Sequence, residues 1–197
     1  WEALAMRQGC ATAHAPAKGD EAKHVVVVRR DVGRAVAEAV PRVVALVVVG
    51  QHLLRKDVTA RGEVPGPLAA IAAGLRCLRD RHGFSAHDAA MTVGCDQPML
   101  TAATVKWLAA QIGDADVLMP QANDKLQPLT AIYRIAALEP ALELLASGAR
   151  RPRELAAVAH SRVLTEAELR RHDPELRSLR NLNNPADYEA VRRELEP

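Results

Sequence analysis

From about residue 25 onward, short apolar runs alternate with stretches patterned for helices. Val25–Val28 is β-branched throughout, and Val43–Val49 is a longer run interrupted only by Ala45 and Leu46. Continuous rather than alternating apolarity predicts strands buried on both faces, as in a largely parallel sheet. Between these runs, Val32–Val40 predicts a short helix that Pro41 stops. Gly66-Pro67 opens the clearest helical pattern, because proline is tolerated at the first helical position. Leu68, Ile71, Leu75 and Leu78 then recur at helical spacing. Ala69, Ala70, Ala72 and Ala73 keep that helix thin enough to lie close against a sheet.

Ala89–Cys95 reads as the next strand, and Thr101 as the cap of a helix with Val105, Leu108 and Ile112 on one face. Val117–Met119 predicts a short strand and Leu126–Tyr133 a longer one. An Ala/Leu/Glu helix follows to about Ser147, broken at Gly148. A further helix is expected over about Arg153–Ala159, and Thr165 with Glu168 forms a capping-box pattern for another. Asn184, Pro185 and Asp187 start the last helix, with Tyr188, Val191 and Leu195 expected on its buried side. Unbroken strand–helix alternation without a linker or repeat predicts one three-layer α/β/α domain over residues 1–197, Rossmann-like, with a mostly parallel sheet.

Composition narrows the class. The 197 residues are 49% hydrophobic and 25% charged, a globular balance, and with only 3% aromatics the core has to come from Val, Leu, Ile and Ala. A net charge of +2 gives no reason to expect nucleic acid as a partner. The three cysteines, Cys10, Cys77 and Cys95, are scattered and odd in number, which argues against a disulfide framework or a zinc site and fits a reducing cytoplasm. No apolar run approaches a membrane span, and no signal-peptide core opens the chain. The histidines show no metal-site spacing.

Ligands of open α/β sheets bind beyond the carboxyl ends of the strands. Three segments meet that description. In Gly94-Cys95-Asp96-Gln97-Pro98 a carboxylate follows a buried strand, where it could hold Mg²⁺ carrying substrate phosphates or simply cap a turn. In Glu63-Val64-Pro65-Gly66-Pro67 a helix N-terminus preceded by glycine could hold an anion, or be a plain turn and helix start. In Asn181-Leu182-Asn183-Asn184-Pro185 clustered amides suit a polar heterocycle or sugar, or only a helix cap. Arg150, Arg151 and Arg153 could clamp a phosphate or form a solvated basic turn.

In order, Pro65–Ile71, Gly94–Leu100, Leu126–Tyr133 and Asn181–Asp187 resemble the molybdenum cofactor guanylyltransferases, the molybdopterin-guanine dinucleotide biosynthesis protein A family. The resemblance runs from about Val43 to the C-terminus. It implies a nucleotidyltransferase using Mg²⁺, GTP, and molybdopterin or molybdenum cofactor, with molybdoenzyme-maturation proteins as candidate partners. By that resemblance Asp96 is the magnesium ligand and a catalytic residue. Glu63 stands where the family has an aspartate at the nucleotide, beside Gly66 and Pro67. Gln127, Asn181 and Asn183 fall on the pterin side. Leu-Gln-Pro-Leu and Asn-x-Asn-x-Pro look more like the GMP-transferring branch than the CMP-transferring one. Ala70 replaces a common glycine.

The N-terminus departs from that pattern. The family opens on a strand and a Gly-Gly-x-Ser-x-Arg-Met-Gly-x-x-Lys loop around the triphosphate. Here Ala13–Lys23 stands at that distance without a Gly-Gly pair. Lys23 and Lys18 lie near the places of the family's lysine and arginine, and so become the candidate catalytic and nucleotide-binding lysines. A side chain in such a loop keeps backbone amides from phosphates. A shifted reading frame, a diverged member, or another loop at the phosphates would each explain the sequence. The alternatives are therefore a cytidylyl- or sugar-phosphate nucleotidyltransferase of the same fold, or a non-catalytic homologue that binds pterin or a partner.

Overall fold

In the computed structural model, which describes the backbone of Val43–Val49 and residues 66–94 and 96–195, the apolar run Val43–Val49 is strand β1. It pairs in parallel with β2 (Ala89–Gly94), in a register that sets Val49 opposite Gly94 at the carboxyl ends of both. The connection between them is α1 (Pro67–His82), with Gly66 as its N-cap and Gly83 closing it in the left-handed conformation, φ 67°. Leu68, Ile71, Leu75 and Leu78 form its buried stripe, as their spacing predicts.

Thr101 caps α2 (Ala102–Gln111) by accepting from the Thr104 N–H. Then follow β3 (Val117–Ala122), β4 (Lys125–Leu126) and β5 (Ile132–Arg134). After β5 come a 3₁₀ turn, α3 (Leu138–Ala146), a second 3₁₀ turn over Pro152–Glu154, α4 (Leu155–Val158) and β6 (Ser161–Leu164). The chain ends in α5 (Glu166–His172) and α6 (Pro185–Leu195), with a 3₁₀ turn over Arg177–Leu179 between them. The sheet runs β1-β2-β5-β3, with β6 parallel to β3 and β4 antiparallel to the end of β3. Thus β1, β2, β3 and β6 share one direction, and β4 and β5 oppose them.

Alternate residues of the strands feed two cores, one on each face. Ala90, Val117, Met119 and Tyr133 pack with α1, α3 and Leu155. Ala89, Met91, Leu118, Ile132 and Leu164 pack with Leu108, Ala109 and Ile112 of the α2 segment and Leu169 of α5. This is the expected α/β/α layering, with each fully buried Leu, Ile or Met contributing about 1.5–3 kcal/mol of transfer free energy. Among the described residues no helix is long and apolar enough to cross a membrane.

Four expectations need correction. Leu126–Tyr133 is not one strand. Gln127 donates its N–H to Pro120 O, Thr130 donates to Gln127 O, and the chain turns through Pro128 before β5 begins. Proline cannot donate to a ladder, so the strand breaks there. The strand at Val117 continues to Ala122, past Met119, because β6 and β4 extend its pairing. The helix expected at Arg153–Ala159 opens as a 3₁₀ turn from Pro152 and closes at Val158. Tyr188 is 55% exposed, while Val191 on the same helix is buried, so the buried stripe of α6 is narrower than the sequence suggests. The Val25–Val28 strand and the Val32–Val40 helix lie outside the described residues, as do the side chains of β1 and Leu195.

Candidate functional site at the carboxyl edge of the sheet

The carboxyl end of β2 is where the separate sequence segments meet. Gly94, the last residue of β2, donates its N–H to Leu129 O (2.8 Å), and Thr92 donates its N–H to Ala131 O (2.8 Å). The turn before β5 is thereby stitched alongside β2. Pro128 O accepts from two hydroxyls, Thr92 Oγ1 and Tyr133 OH, each at 2.9 Å. Burial holds the Tyr133 phenol well above its ordinary range, so it is a fixed donor here.

Asp96 lies just past that end, half-buried, and a Cβ added to Gly94 would run into its Oδ1. Glycine is needed at 94 for that reason and not for its backbone angles. From the far end of the chain, Leu182 donates its N–H to Asp96 O (2.8 Å), which sets Asn181 and Leu182 against the Asp96 turn. Asn181 Oδ1 is buried and accepts no hydrogen bond from the described residues. An orphaned acceptor of this kind suits an N–H donor from outside the protein.

The Asn181 segment is itself anchored. Asp173 accepts from Arg177 N–H (3.0 Å) and Ser178 N–H (2.8 Å), and Ser178 Oγ meets Thr104 Oγ1 of α2 at 2.9 Å. Burial alone would raise the Asp173 carboxyl, but those two N–H groups, together with the Ser178 hydroxyl and the charge of His172, hold it below the ordinary range. Downstream, Asn184 Oδ1 accepts from Asp187 N–H at 3.0 Å, and Asp187 Oδ2 accepts from Asn183 N–H at 2.9 Å. Asn184 is therefore the helix cap, and Asn183 is exposed at the mouth of the segment.

The other two segments also pair. Because α1 leads back from the end of β1 to the start of β2, Gly66 and Pro67 lie on the same edge as Asp96. A Cβ at Gly66 would stand 3.2 Å from Arg150 O, so the basic turn after α3 presses directly on the α1 start. The first turn of α1 carries no acid. The Arg150 guanidinium bonds Ala149 O (2.7 Å) and Leu145 O (3.2 Å), while Arg151 and Arg153 are exposed. Gln127 is half-buried, its Nε2 donating to Lys125 O at 3.3 Å. Lys18, Lys23 and Glu63 lie outside the described residues.

Among the described residues no group of three or more His, Cys, Asp or Glu could hold a metal. Asp96 is a single half-buried carboxylate at an open edge. That donor set fits Mg²⁺, which keeps waters and substrate phosphates and needs only one or two protein carboxylates.

The model of the MobA-like NTP transferase domain matches residues 13–164. The chain belongs to that family. A probable molybdenum cofactor guanylyltransferase of Chloroflexus aggregans is 33% identical over 130 residues, covering 64% of this chain and 59% of that protein. A molybdenum cofactor guanylyltransferase of Desulfosudis oleivorans is 30% identical over 125 residues, covering 63% of this chain and 58% of that protein. The matched region thus spans less than two thirds of these relatives' length. In fold, the chain resembles molybdopterin-guanine dinucleotide biosynthesis protein A from Archaeoglobus fulgidus, with a TM-score of 0.57 at 20% identity over 89% of this chain and 91% of that one. It also resembles a 4-diphosphocytidyl-2C-methyl-D-erythritol synthase, with a TM-score of 0.51 at 14% identity over 84% of this chain and 88% of that one. In an open α/β sheet, ligands are expected at the carboxyl ends of the strands, the edge on which Asp96 lies.

Sequence reasoning singled out Asp96, Gly66, Gln127 and Asn181, and these residues share one edge. It missed Thr92, Gln97 and Thr130, which are buried polar residues. The available signal was a threonine inside each of two apolar runs, Ala90-Met91-Thr92-Val93 and Leu129-Thr130-Ala131.

Proposed function

We propose that the chain transfers GMP from GTP to molybdopterin or its molybdenum-loaded form, releasing pyrophosphate. The observation that carries this reading is the hydrogen bond from Leu182 N–H to Asp96 O, which sets an amide-rich segment beside a strand-end carboxylate. A carboxylate suited to Mg²⁺ and a segment carrying an orphaned amide oxygen on Asn181 are thereby joined at one edge. The similarity to molybdenum cofactor guanylyltransferases favours GTP and the pterin as the two substrates.

In the proposed reaction the terminal phosphate of the pterin attacks the α-phosphorus of GTP in line. An oxygen–phosphorus bond forms as the bond to the leaving pyrophosphate breaks. Such a transfer needs positioning and charge stabilisation rather than a nucleophilic side chain. Asp96 would hold Mg²⁺, which when bound neutralises charge on the phosphate oxygens. The acid-free start of α1 at Gly66 favours an anion nearby. Asn181 Oδ1 would accept from the pterin, with Gln127 and Asn183 bordering it. Lys23, with Lys18, would face the triphosphate.

Calorimetric titration with GTP, CTP and ATP, with and without Mg²⁺, tests the nucleotide half. The expected result is Mg²⁺-dependent binding that prefers GTP and is lost in Asp96→Ala. A folded chain that binds none of the three, or prefers CTP, contradicts it.

A further inference from the structure

Gln97 follows Asp96 in a turn, a place where a glutamine is ordinarily solvated. Here it is only 8% exposed. Its Oε1 accepts from the Gly94 N–H (3.2 Å) and from the Thr130 hydroxyl (2.8 Å), and its Nε2 donates to Thr130 Oγ1 (2.5 Å). Thr130 is fully buried, in the turn before β5. One carboxamide therefore ties three pieces of backbone: the end of β2, the Asp96 turn and the turn through Pro128.

We propose that Gln97, latched on Thr130, is a positioning residue that sets the Asp96 carboxylate for a divalent cation. The inference rests on the reading of Asp96 as the Mg²⁺ ligand. Among the described residues no side chain or N–H hydrogen-bonds the Asp96 carboxylate, so its orientation comes from its backbone. Three contacts define that backbone. Asp96 Oδ1 packs on the bare Cα of Gly94, Asp96 O accepts from Leu182 N–H, and the next residue is pinned by its own side chain. Cutting the Gln97–Thr130 latch frees one side of the turn while leaving the Leu182 bond in place. A buried carboxamide with a hydroxyl partner costs free energy when either is left alone.

The test is Mn²⁺ binding to the whole chain with GTP present, read from the free-ion signal in electron paramagnetic resonance, with thermal unfolding measured in parallel. Gln97→Met keeps the volume and removes the amide, and Thr130→Val removes the hydroxyl. Each should weaken Mn²⁺ binding by about 10- to 100-fold, the range typical for residues that orient metal ligands. Thr130→Ser, which keeps the hydroxyl, should bind as the wild type does. Folded Gln97→Met and Thr130→Val variants with wild-type Mn²⁺ affinity overturn the inference and leave the Asp96 reading intact. A wild-type chain that binds no Mn²⁺ in the presence of GTP, like Asp96→Asn, overturns both. If Gln97→Met fails to fold, the Thr130→Ser and Thr130→Val pair reads the same latch.

Discussion

Leu182 donates its backbone N–H to the carbonyl oxygen of Asp96 at 2.8 Å, joining the segment before the last helix to the turn after β2. The bond links main chain to main chain, so side-chain substitutions at Asp96 leave it in place. Asp96→Ala should therefore fold normally. If the carboxylate supplies charge stabilisation of several kcal/mol, the variant loses about 100-fold or more in kcat/KM for nucleotidyl transfer. Steady-state kinetics beside a thermal melt checks both halves. Kinetics unchanged in a folded variant would remove Asp96 from the site.

Gly94→Ala tests the crowding at that turn. The new methyl would overlap Asp96 Oδ1, and the carboxylate has to swing away. Mg²⁺-dependent GTP binding should weaken while the variant stays folded, because φ at this position asks nothing special of glycine. Calorimetry against the wild type reads it, and an unchanged Mg²⁺ dependence would contradict the placement.

The carbonyl of Pro128 accepts from both Thr92 Oγ1 and Tyr133 OH. Removing one donor leaves the other, so Tyr133→Phe should cost about 1 kcal/mol. Adding Thr92→Val to it leaves the half-buried carbonyl without either hydroxyl, and the double variant should lose more than the two singles sum to. Denaturant unfolding of the four proteins measures the coupling. Strict additivity would mean that the two hydroxyls do not share an acceptor.

Asp173 gives a pH dependence with a definite sign. Its carboxyl sits below the ordinary value of 3.8 in the folded chain, through the Ser178 and Arg177 N–H groups. A carboxyl depressed on folding adds stability above its unfolded value, and that stability drains away as pH falls through the folded one. The wild type should lose stability below pH 3.8, and Asp173→Asn should flatten part of that loss. Urea midpoints against pH for both proteins check it. Parallel curves would assign the acid sensitivity to other carboxylates.

Much of this was legible from residues alone. Leu68, Ile71, Leu75 and Leu78 announced the buried face of α1 because helical spacing and burial are the same information. Asp96 stood out because a carboxylate after an apolar run has to sit at a strand end. Thr165 and Glu168 predicted a capping box, and both of its hydrogen bonds are present. The turn at Pro128 was hidden inside an apolar stretch, since Leu129 and Ala131 already bond to β2 before Ile132 and Tyr133 join β3. Tyr188 misled because periodicity marks one side of a helix but not how wide its covered stripe is. Nothing local could bring Arg150 against Gly66, or Gln97 onto Thr130. Those contacts exist only once the strand order is fixed, and a buried amide looks like a surface one in sequence.

The most direct measurement is the reaction itself. The chain is incubated with GTP, Mg²⁺ and molybdopterin, pyrophosphate is quantified, and the pterin product is weighed by mass spectrometry. The predicted result is pyrophosphate together with a pterin carrying one GMP, formed from GTP in preference to CTP and abolished by Asp96→Ala. A folded chain that binds both substrates yet releases no pyrophosphate, or that gives the same product yield with Asp96→Ala, would contradict guanylyl transfer at this edge.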